Sequence, residues 1–187
     1  RPLLLKEPVG LERRELCVEL PRPPGADPRS VRVFTAEGFA APFQVAGTNL
    51  LLQTGLHPHG IEGYFVYWNP EGASGEGPAS GVATGTRATL RETDTAFELE
   101  NDHLRIGIDR ARGAFTEFTI RGGSGNSAIA TFGRRMGSHP SNYIYDSGET
   151  APESVQVVEQ GPLRVGVEFR YPGSRRIVYR LAAGSHH

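Results

Sequence analysis

The chain has 187 residues, with 20 basic and 21 acidic side chains, a formal net charge of −1, 37% hydrophobic residues and one cysteine. A sequence pI of about 6.7 supplies neither the basic footprint of a nucleic-acid binder nor a polybasic signal for an anionic membrane. Apolar runs span only a few residues, against roughly 20 for a membrane-crossing helix, and Cys17 alone closes no intrachain disulfide.

Period-two alternation of apolar and polar residues recurs along the chain, while no helical i, i+3, i+4, i+7 stripe is sustained. The spacing predicts an all-β protein built from antiparallel β-sandwiches. Leu16, Val18 and Leu20 alternate with Glu15, Cys17 and Glu19, which predicts a strand with one apolar face. Further strands are expected at Val31–Phe34, Leu50–Gln53 and Tyr64–Trp68. In the last, alternation sends Tyr64, Val66 and Trp68 to one face and Phe65 and Tyr67 to the other.

From Asn69 to Thr86 the chain is rich in glycine, proline and serine with almost nothing to bury, the composition of a linker. The expected organisation is a small N-terminal β-sandwich module over residues 1–70, a linker over 71–86 and a C-terminal β-sandwich over 87–183. Residues 184–187, Gly-Ser-His-His, read as the remnant of an expression tag. Strands of the later block are expected at Phe97–Glu100, Leu104–Ile108, Ala114–Ile120, Tyr143–Tyr145, Val155–Val158, Leu163–Phe169 and Ile177–Leu181. Arg110-Ala111-Arg112-Gly113 predicts a hairpin whose glycine takes positive φ. Tyr171-Pro172-Gly173-Ser174 predicts a second hairpin, and Arg121–Ser127 a flexible loop. Lys6 is the only lysine, an arginine bias that suits a GC-rich or heat-adapted source.

His57 and His59, with His103 and His139, do not by spacing alone supply three or four converging metal donors. Asp146, Glu149 and Glu153 offer oxygens to a hard cation but match no EF-hand, which favours a solvated acidic loop. Asp94, Glu98, Glu100, Asp109 and Glu117 are available as paired carboxylates. Opposite Phe97 and Leu99, however, Glu98 and Glu100 read as the wet face of a sheet. The serines form no nucleophile elbow, Gly-Gly-Ser-Gly at 122–125 is no phosphate loop, and Cys17 reads as packing. The aromatics remain. Tyr67 and Trp68, and Tyr143 and Tyr145 beside Asn142 and Asp146, form the candidate ligand-binding set, because rings with a few polar groups suit sugars.

Three stretches carry a resemblance. Val31–Gly38 with Pro42-Phe43-Gln44, Leu56–Gly60 and Tyr64–Tyr67 resembles small β-sandwich modules of carbohydrate-active enzymes. Leu99–Asp109 with Gly113-Ala114-Phe115 is similar to the opening strands of galactose-mutarotase-like supersandwiches. Together with Glu159–Val165, it resembles the C-terminal β-region of family 38 α-mannosidases and related polysaccharide-lyase modules. Catalysis in that mannosidase family belongs to a separate metal-bearing domain, to which nothing here corresponds. The resemblance therefore implies a partial supersandwich and a non-catalytic module that binds glycan or supports a catalytic domain. The expected partners are a carbohydrate and a catalytic domain on the same or another chain, with no nucleic acid and no membrane span. No pattern points to a cofactor or a metal. The alternatives are a small sugar-active enzyme of lyase or epimerase type, using His57, His59, His103 or Tyr143 as acid or base, and a cell-surface assembly protein.

Overall fold

The computed structural model describes residues 1–72, 87–121, 129–130 and 151–185, the pair 129–130 by backbone alone. Most of the linker, the loop from residue 122 on, His139, Asn142, the strand expected at Tyr143–Tyr145, Asp146 and Glu149 lie outside these residues. The described chain is all-β, with strands paired into four antiparallel sheets and no α-helix. It divides into two compact units, Arg1–Arg87 with Gly161–Arg164, and Ala88–Gln160 with Val165–His187.

The first unit holds β1 (Pro2–Lys6), β2 (Arg13–Pro21), β3 (Arg32–Thr35), β4 (Phe43–Ala46), β5 (Asn49–Leu56) and β6 (Ile61–Tyr67). They form two three-stranded sheets, ordered β1-β6-β3 and β2-β5-β4. Val33, Tyr64 and Val66 of one sheet meet Phe43, Leu50 and Leu52 of the other in a shared core. Strand β5 is buried on both faces: between Leu50 and Leu52 on the core side, Leu51 points the opposite way and packs on Leu163. This is why its sequence is a continuous leucine run rather than an alternation. The side chain of Gln44 imitates a strand partner for the segment at 163–164. Its Oε1 accepts from the backbone N–H of Leu163 and of Arg164, each at 2.9 Å, and its Nε2 donates to the Arg164 carbonyl at 2.9 Å.

Where β1 ends, Glu7 turns inward and is 2% exposed. Its Oε2 accepts backbone N–H bonds from Val9 (3.1 Å), Gly10 (2.6 Å), Leu11 (3.0 Å) and His59 (3.4 Å). Burial pushes its carboxyl upward, but the four N–H groups outweigh burial and hold it below the ordinary carboxylate value.

The second unit holds β7 (Thr89–Glu92), β8 (Ala96–Glu100), β9 (Leu104–Asp109), β10 (Phe115–Ile120), β11 (Ile129–Ala130), β12 (Ser154–Gln160), β13 (Arg164–Arg170, from Val165 on) and β14 (Arg176–Ala182). A five-stranded meander β11-β10-β9-β8-β7 and a three-stranded meander β12-β13-β14 bury Phe97, Leu99, Leu104, Ile108, Val167, Phe169 and Leu181 between them. Both expected hairpins form. Gly113 has φ +67°, and Asp109 Oδ1 accepts from the N–H groups of Ala111 and Arg112 in the same turn. Two tyrosines from β13–β14 pin that turn: the Tyr171 hydroxyl donates to the Arg112 carbonyl at 2.8 Å, and the Tyr179 hydroxyl to the Gly113 carbonyl at 2.6 Å. Burial, helped by nearby Tyr171, pushes the Tyr179 hydroxyl up to about 12, which keeps it a donor across the neutral range.

Candidate ligand-binding face

Alternation along β6 sorts its aromatic residues. Tyr64 and Val66 are 6% and 5% exposed and belong to the core, whereas Phe65, Tyr67 and Ile61 are 40%, 55% and 60% exposed. Tyr64 spends its hydroxyl on Thr54 Oγ1, and burial raises its pKa, so it acts as a core tyrosine. Trp68, just past the strand on the side of Tyr64 and Val66, is half-buried and packs against the core. The two described members of the expected ligand set, Tyr67 and Trp68, thus occupy different faces. Asn142, Tyr143, Tyr145 and Asp146 lie outside the described residues.

The outer face of the β1-β6-β3 sheet is apolar. Register places Phe65 between Pro2 of β1 and Phe34 of β3, and Tyr67 opposite Arg32. Phe34 and Tyr67 meet edge to face at 5.8 Å between ring centroids, the arrangement that aromatic quadrupoles prefer. Leu4, 73% exposed, lies opposite Gly63, so the middle of the face is low between flanking side chains. A Cβ on Gly63 would lie 3.4 Å from the Ala36 Cβ and 3.7 Å from the Leu4 side chain. Lys6 and Arg32 are the charged residues at its outward positions, and none of those positions carries a carboxylate. Exposed clusters of this kind mark contact surfaces on soluble domains.

Leu4, Ile61 and Phe65 were not in the sequence-derived set. Phe65 shares parity with Tyr67 and was legible by alternation. Leu4 was hidden in the run Leu3-Leu4-Leu5, whose pleat sends the middle residue outward.

The other candidates have structural occupations. The His57 carbonyl accepts from Gly60 N–H at 2.8 Å. His59 sits at φ +56° with its ring over Gly10, where a Cβ would meet Nε2 at 2.7 Å. Glu98 lies 3.8 Å from Arg91 and 3.4 Å from Arg105, and Glu117 lies 3.7 Å from Arg105. Glu100 pairs with Arg121 at 2.5 Å. These carboxylates form the charged outer face of the five-stranded sheet, as the alternation of β8 implied. Cys17 is half-buried against Leu51 and Leu163. Among the described residues no group of three or more His, Cys, Asp and Glu side chains converges as metal donors. No helix among them is long and apolar enough to cross a membrane. No protein-family model and no curated protein matches the chain.

Proposed function

We propose that the chain is a non-catalytic β-sandwich module of a carbohydrate-active enzyme, and that it binds glycan on the outer face of the β1-β6-β3 sheet. The observation that carries this reading is the exposure of Phe65 and Tyr67 side by side on an apolar sheet face. A sugar ring has one face lined with C–H groups, which stacks on an aromatic ring while its hydroxyls stay wet. Strands hold the two rings more rigidly than a loop would, so little side-chain entropy is lost on binding.

Calorimetric titration against ligands chosen from a glycan array tests the reading. Phe65→Ala with Tyr67→Ala is expected to weaken binding at least tenfold with the fold intact, since both side chains lie on the outer face of the sheet and outside the core. Unchanged affinity in that double variant, or an array with no glycan bound, overturns it.

Support of a catalytic domain is a second reading with its own observation. Leu4 and Ile61, 73% and 60% exposed on the same sheet face, are aliphatic and contribute no ring to stack. That role predicts a chain that binds no glycan and gains solubility, at unchanged fold, in Leu4→Asp with Ile61→Asp.

A further inference from the structure

The three-stranded sheet of the second unit has an outer face on which arginines cover buried carboxylates. Val165, Val167 and Phe169 of β13 point into the core, so alternation places Gly166, Glu168 and Arg170 on the opposite side. Register adds Gln156 opposite Glu168 and Glu159 opposite Gly166. Strand β14, with Ile177, Tyr179 and Leu181 packed on the core, gives Arg176 and Arg180 to the same outer side.

Two carboxylates on this face are buried beneath guanidinium groups. The Glu168 side chain is 1% exposed and accepts from Arg170 Nε, Arg176 Nε and, at 3.2 Å, Gln156 Nε2. The Glu159 side chain is 7% exposed and accepts from Arg180 Nε at 2.7 Å. Gly166 leaves room for the Arg180 stem, whose Cγ would lie 3.3 Å from a Cβ at that position. The three arginines are themselves 59%, 56% and 44% exposed. Arg170, Arg176 and Arg180 each reach their carboxylate through Nε, one of five N–H donors on a guanidinium, which leaves the outer N–H groups of the forks turned to a ligand. Solvent meets the cations while the anions lie beneath, and the buried carboxylates fix the orientation of the forks.

We propose that this face binds an acidic polysaccharide, with Arg170, Arg176 and Arg180 holding its carboxylate or sulfate groups. Planar forks match the two oxygens of such groups pairwise. Arg176 and Arg180 stand four residues apart on one strand, about 13 Å, so they reach charges several sugar units apart along an extended polymer. A nucleic acid is disfavoured, since no described residue of the face carries a ring for base stacking and the chain has a net charge of −1. Glu168 is a positioning residue in this arrangement.

The test titrates the full chain with oligogalacturonate and with a heparin oligosaccharide, which separates carboxylate from sulfate. Wild type is expected to bind one of them, and Phe65→Ala with Tyr67→Ala to leave that binding unchanged, because the site is distinct from the first unit's face. Arg170→Lys with Arg176→Lys keeps the charge and is expected to lose at least tenfold. Glu168→Gln adds a net positive charge, yet is expected to weaken binding because the forks are released. The lysine variant carries the decision if Glu168→Gln does not fold. Wild-type affinity in the lysine variant, binding of neither ligand, or tighter binding of single-stranded DNA than of both overturns the proposal.

Discussion

Gly113 shows how one residue can be required twice. Its φ of +67° costs a residue with a side chain about 1–2 kcal/mol. A Cβ there would also lie 2.1 Å from the Tyr171 hydroxyl and 2.8 Å from the Phe169 ring, an overlap that costs about 1–3 kcal/mol more. Gly113→Ala is therefore expected to destabilise the second unit by about 3 kcal/mol in urea unfolding, well beyond a helix or strand propensity effect. A loss below about 1 kcal/mol would mean that the turn relaxes without disturbing its tyrosine pins. The glycine's conformation was legible in the sequence, because a four-residue loop between two alternating strands demands it. Its crowding was not, because Phe169 and Tyr171 come from a hairpin more than fifty residues later.

Among the strands, alternation was informative where one face is wet, an apolar run marked β5, and β1, β4 and β7 were left unread. The strands around Leu104–Asp109 and Arg176–Ala182 follow the pattern and were read from it. Strand β1 is a triple leucine between Pro2 and Lys6, and β4 and β7 are four residues each, too short to establish a period. The run Leu163, Val165, Val167, Phe169 is more instructive. It reads as one apolar stripe, yet Leu163 packs on Leu51 in the first unit, while Val165, Val167 and Phe169 belong to the core of the second. Parity reveals which residues share a side of the strand, and says nothing about which core receives them. The candidate site divides in the same way. The outward side of Tyr67 was legible by parity, whereas the low middle of its sheet face depends on Gly63 lying opposite Leu4 across a register that no local pattern encodes.

This makes Leu163 and Gln44 a sensitive pair. Leu163 is fully buried, so Leu163→Ala is expected to cost about 3 kcal/mol through lost transfer energy and a residual cavity. Gln44→Ala removes the acceptor for two backbone N–H groups and the donor to one carbonyl, and is expected to cost about 2 kcal/mol. The two side chains serve one segment, so a double-mutant cycle should show less loss than the sum. Strict additivity in guanidinium unfolding would refute a shared role.

Across the whole chain, Glu7 in the first unit and Glu168 in the second are buried carboxylates held in their charged form, and the two are held by different means. Glu168 is lowered chiefly by the Arg170 hydrogen bond, against the opposing effect of burial and with further help from Arg176. Glu7 is buried too, and backbone N–H groups from Leu11, Gly10, His59 and Val9 overcome that burial. A carboxyl whose folded pKa lies below its ordinary value of 4.5 binds protons more readily when unfolded. Its stabilisation is complete above about pH 4.5 and is lost as pH falls through the lower folded value. Neither group is reached by salt as an exposed pair would be, and Glu7, whose hydrogen bonds come from uncharged N–H groups while Arg13 lies 3.7 Å from its other oxygen, depends on ionic strength less than Glu168. Calorimetry from pH 7 to pH 2 is thus expected to show melting temperatures that fall below about pH 4.5. Glu7→Gln should lower the neutral-pH stability of the first unit and flatten its acid dependence, and Glu168→Gln should do the same for the second. If both variants keep the wild-type slope below pH 4.5, the acid sensitivity resides in other carboxylates, and the buried pair is structural at every pH.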